Sequence, residues 1–116
     1  MVLSIFPLTR FGLIIRDSIF RSNLNNYKTI VGSIVDQLPP GIVKIDRVPI
    51  DHGKDKSIME AVAGRDQNKV ITVVLITGGG YPARHVGYMF KSDDNPEGVF
   101  PVRKRISKGW FALYGF

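Results

Sequence analysis

Residues 70–77 read Val-Ile-Thr-Val-Val-Leu-Ile-Thr, apolar nearly throughout and rich in β-branched side chains. Successive side chains of a strand point to opposite faces of its sheet. A run without polar alternation therefore suits a central strand covered on both faces. A chain built around such a strand needs a second layer.

The layer is legible upstream. Tyr27, Ile30, Val31, Ile34, Val35 and Leu38 fall at i, i+3, i+4, i+7, i+8 and i+11, one face of an amphipathic helix. Asn25 or Asn26 is the expected cap of its first turn. Pro39-Pro40-Gly41 ends it, because a residue before proline is pushed out of the helical region. Burying that face contributes about 1.5–3 kcal/mol per fully buried side chain.

The remaining segments sort mostly into strands. Val43–Val48 alternates, and Pro49 makes it an edge strand or stops it. Val86, Tyr88 and Phe90 alternate with Gly87, Met89 and Lys91. Residues 99–106 and 109–116 form an expected hairpin about Ser107-Lys108. In its second strand Trp110, Ala112, Tyr114 and Phe116 share one face, and Phe111 and Leu113 the other. Phe11, Ile15 and Ile19 could mark one side of a helix, and periodicity does not settle the point. Phe11–Arg16 reads instead as a strand, since Gly12 weakens a helix and Leu13-Ile14-Ile15 is a compact run. Ser57–Ala63 reads as a short helix with Gly64 beyond its end. The expected fold is a single α+β domain over residues 1–116. It has a mainly antiparallel sheet of five or six strands, with one long and one short helix packed on it.

At 116 residues the chain suits one domain with a real core. It has no cysteine, which excludes disulfides, thiolate chemistry and cysteine-based zinc sites. No run of 18 apolar residues exists, so no membrane span is expected. Pro7 and Arg10 interrupt the N-terminal apolar stretch where a secretory signal would be unbroken. A cytoplasmic protein is the expectation. A mitochondrial-type presequence is the competing reading of residues 1–28, where Arg10, Arg16, Arg21 and Lys28 face only Asp17.

The net charge is +6, and +4 of it lies in residues 102–116, where Arg103, Lys104, Arg105 and Lys108 meet no acid. Charge so concentrated suits a surface that faces a polyanion. Arg and Lys contact phosphates, and aromatics of the same strand could stack on unpaired bases. Against stacking, Trp110 and its neighbours alternate as core residues do. Arg84 could join this surface from the loop after Gly78-Gly79-Gly80. That loop lacks the Lys-Ser/Thr continuation of a phosphate-binding loop and the G-x-G-x-x-G spacing of a dinucleotide site, so it reads as a strand connection.

The expected function is a non-enzymatic binding protein whose basic C-terminal hairpin contacts an anionic partner, with nucleic acid as the favoured class. Its site residues are Arg84, Arg103, Lys104, Arg105 and Lys108. The alternative is a protein–protein adaptor or homo-oligomer, joined through an edge strand near Pro49 or through the strand ending at Phe116. A third reading makes His52 and His85 the acid–base pair of a small phosphodiesterase. Neither the Asp51/Asp55/Glu60 set nor Asp93-Asp94-Asn95-Glu97 has calcium-loop spacing. No cofactor and no metal is expected.

Overall fold

The computed structural model describes residues 10–50, 58–78 and 86–114. Among them are two helices followed by six strands. Helix α2 (Leu24–Gln37) buries Tyr27, Val31 and Ile34, as its spacing predicts, with Ile30, Val35 and Leu38 half-buried beside them. Leu38 leaves the helix in extended conformation ahead of the two prolines. The helix begins two or three residues earlier than expected. Asn23, with no side-chain capping bond, is its boundary, and Asn25 and Asn26 lie inside it.

Residues 11–16 are not a strand. They belong to helix α1 (Arg10–Ser22). Asn23 alone separates the helices. Its N–H donates to the carbonyls of Ile19 and Phe20, and its own carbonyl accepts from Asn26 and Tyr27. The two helices are nearly equal in length, at 13 and 14 residues. The short helix expected at Ser57–Ala63 is absent, because Glu60–Arg65 is a strand, β2.

All six strands pair antiparallel, in the order β1-β2-β3-β4-β6-β5. The others are β1 (Val43–Val48), β3 (Ile71–Gly78), β4 (Val86–Lys91), β5 (Val102–Ser107) and β6 (Trp110–Leu113). Strand β3 is central and covered on both faces. Val73 and Leu75 join Phe20, Tyr27, Val31, Ile34, Tyr88 and Trp110 under the helices. Val74 and Ile76 join Met89, Phe111 and Leu113 on the opposite face.

No helix lies on that second face among the described residues; a connection roofs it. Strand β4 descends to Lys91, whereas β5 starts beside Leu113 at the other end of β6. Residues 92–101 therefore run back along the sheet. They lay Phe100 against the second cluster and tie Pro101 to the backbone of Tyr114 at 2.8 Å. This connection explains how a β-branched strand is buried on both faces in so short a chain.

The sheet ends at β1 and β5. Strand β1 is the edge that Pro49 implied. The C-terminal strand is not an edge, since β6 lies between β4 and β5. Both edges carry irregular pairing, with one extra residue in β1 and two separate ones in β5. Bulges and charges on an edge disfavour pairing with a further strand. Among the described residues no helix is long and apolar enough to cross a membrane.

Candidate anion-binding hairpin

Consecutive residues of a regular strand face opposite ways, yet Arg103 and Lys104 reach the same carboxylate. The bulge between Val102 and Lys104 makes this possible, because it inserts Arg103 as an extra residue in β5. Their shared target is Asp17, on α1. Arg103 donates from its two terminal nitrogens to the two oxygens of Asp17, at 2.9 and 2.8 Å. The Lys104 ammonium lies 3.0 Å from Oδ2, and the Tyr88 hydroxyl donates to Oδ1 at 2.9 Å. The Asp17 side chain is 4% exposed and that of Arg103 17%.

Burial alone would push the Asp17 carboxyl up. The hydrogen bonds from Arg103, Lys104 and Tyr88, with the Arg103 charge, outweigh it and hold the group below the ordinary carboxylate value. Burial and the Asp17 charge push the Tyr88 hydroxyl well above its ordinary value, so it stays a donor. The hydrogen bond to Asp17 raises Arg103 further. Among the described residues the Arg103 Nε has no hydrogen-bond partner. Arg103 is thus a clamp that fastens α1 to the sheet, and little of it faces solvent.

The remaining cations of the hairpin face outward. Lys104 and Arg105 are exposed in β5, and Lys108 is exposed in the turn. Arg105 meets Asp94 at 2.6 Å. The other oxygen of Asp94 accepts the N–H of Gly109, also at 2.6 Å. Gly109 adopts φ +80°, which L side chains rarely take, and so closes the turn. Arg21 of α1 donates to the Ile106 carbonyl at 3.1 Å and adds a cation beside β5. Five cations (Arg21, Arg103, Lys104, Arg105 and Lys108) thus gather here against Asp17 and Asp94, an excess of three positive charges.

Much of the aromatic half of the expected surface is internal, and Phe116 lies outside the described residues. Trp110 and Phe111 are buried on opposite faces of the sheet, and Tyr114 is exposed. Asp93-Asp94-Asn95-Glu97 builds turns: Asp93 accepts from the N–H of Asn95, and Asn95 from that of Glu97. Arg84, His52 and His85 lie outside the described residues. Strands β3 and β4 are antiparallel neighbours, so the glycine-rich segment joins adjacent strands along the chain.

Sequence reasoning missed Asp17, Tyr88 and Arg21. Asp17 is the lone acid in a basic N-terminal region, and that oddity was the available signal. Compared with known proteins, the chain matches no family model, no curated protein and no solved structure.

Proposed function

We propose that this chain is a non-enzymatic binding protein whose β5 edge contacts an anionic partner, nucleic acid being the class its charge suits. The observation that carries the reading is the excess positive charge beside β5, with Asp17 already shared by two cations. Lys104, Arg105, Lys108 and Arg21 are the contacting groups, and Arg103 holds the surface in place. The exposed pair of Arg105 with Asp94 is weak enough in water to exchange for a phosphate.

With Trp110 and Phe111 buried, the contacts are mainly to the phosphate backbone, and Tyr114 alone of the described aromatics in residues 110–114 is exposed enough to meet a base. Such binding tolerates any base sequence and weakens as counterions compete. For about four phosphate contacts on a duplex, affinity falls roughly hundredfold between about 50 and about 200 mM salt. Fluorescence anisotropy with labelled single- and double-stranded DNA of mixed sequence tests this. Binding at low salt that ignores base sequence supports it, and no binding at low salt ends it.

A further inference from the structure

The face of the sheet away from the helices holds a trough of about 420 Å³. One wall is the bulged start of β1. An added Cβ at Gly64 would sit 2.7 Å from Ile45 Cγ1, so Ile45 folds over the space that this glycine leaves. The floor is Thr72 and Met89, and the far wall is Val99 with Phe100. The volume falls within the roughly 300–1,000 Å³ of small-ligand sites, which are mostly apolar with a few placed polar groups.

The polar groups here are mainly cationic. Lys91, Arg65 and Lys44 line the trough against one acid, Asp66, and the Arg65 guanidinium already donates to the carbonyls of Pro39 and Gly41. The Oδ1 of Asp66 already accepts from the N–H groups of Asn68 and Val70. Lys91 is the informative one, because its side chain is only 11% exposed. Its ammonium donates to the neutral Glu97 carbonyl at 2.6 Å, whereas its carboxylate partner among the described residues, Asp93, stands farther off at 3.8 Å. A nearly buried ammonium has three donors and is stabilised by a close counter-charge. At the mouth, Val99 is 84% and Ile42 73% exposed.

We propose that this trough binds a small amphipathic anion, an acyl or aryl carboxylate. The apolar body covers Ile45, Met89 and Phe100, and the head group meets Lys91. The site stands apart from the β5 edge and does not depend on the nucleic-acid reading. A second copy of the chain fits poorly, since a two-fold contact here would bring like cations together.

Decanoate, followed by amide chemical shifts of the full chain, tests it, with decanol as the uncharged control. The expected result is shifts at Gly64, Arg65, Thr72, Met89, Lys91 and Val99, with decanol binding about tenfold or more weakly because it lacks the charge-assisted bond. Lys91→Met brings decanoate to the decanol level. Val99→Asp, on an exposed position that leaves folding intact, weakens decanoate by a similar factor. Equal binding of decanol and decanoate, shifts elsewhere, or no shifts at millimolar decanoate would overturn the proposal. So would a parent dimer that Val99→Asp converts to monomer, which would give the trough to a second copy.

Discussion

Arg103 holds Asp17 through both of its terminal guanidinium nitrogens, at 2.8 and 2.9 Å, across 86 residues of sequence. This bond decides which cations of the C-terminal cluster are available to a partner. It also fastens α1, which among residues 15–22 buries only Asp17 and Phe20.

Breaking the clamp from the acid side leaves a largely buried guanidinium without its counter-charge. Asp17→Asn should therefore destabilise the fold by about 3 kcal/mol. A chemical-denaturation midpoint measures this directly. A loss near zero would show that the pair is solvated.

The pH dependence follows from the same group. The folded-state pKa of Asp17 is depressed below the ordinary value of 3.8, so its contribution is full well above that pH. It is lost as pH falls through 3.8 and on through the folded value. Tyr88 behaves oppositely. Its folded pKa is raised from 10.0, so its contribution is full below pH 10 and lost as pH rises beyond it. Denaturation midpoints across pH should fall at both extremes. In Asp17→Asn the acid fall should be shallower, because one depressed carboxylate is gone.

How much of this was legible in the sequence depended on where each partner lies. The face of α2 and the both-sided burial of β3 are local patterns, and both read correctly. Helix α1 showed a possible helical spacing at Phe11, Ile15 and Ile19 that lost to a strand reading; its buried anchor is an acid, while Ile15 and Ile19 face outward. Strand β2 resembled a helix because Ala61, Val62 and Ala63 suit either state; only its pairing with β1 and β3 decides. The cations of β5 were visible as charge. Their division into a clamp and a surface was not, because it rests on a bulge and on a partner 86 residues away.

Gly64 has no room for a methyl group. An added Cβ would stand 2.7 Å from the Val43 carbonyl oxygen and 2.8 Å from the Ile45 nitrogen, both backbone atoms. Gly64→Ala should force β1 away and cost about 1–3 kcal/mol. Thermal unfolding measures the loss, and amide shifts should show the change concentrated in residues 43–46.

Trp110 is the single tryptophan of the chain and is buried between Phe20 and Phe90. Its emission should be blue-shifted and poorly quenched by iodide. It should also remain unquenched when DNA binds, because phosphate contacts leave the core intact. Strong quenching by DNA would mean that the ring stacks on bases.

The most direct test of the binding account is the salt dependence of duplex affinity for the parent and for Lys104→Ala/Arg105→Ala/Lys108→Ala. Arg103 is kept so that α1 stays fastened. The account predicts a slope of log affinity against log salt of about −3.6 for the parent, reduced in magnitude by about 3 in the triple variant, whose fold is unchanged. Equal slopes and equal affinities in a folded triple variant would contradict it.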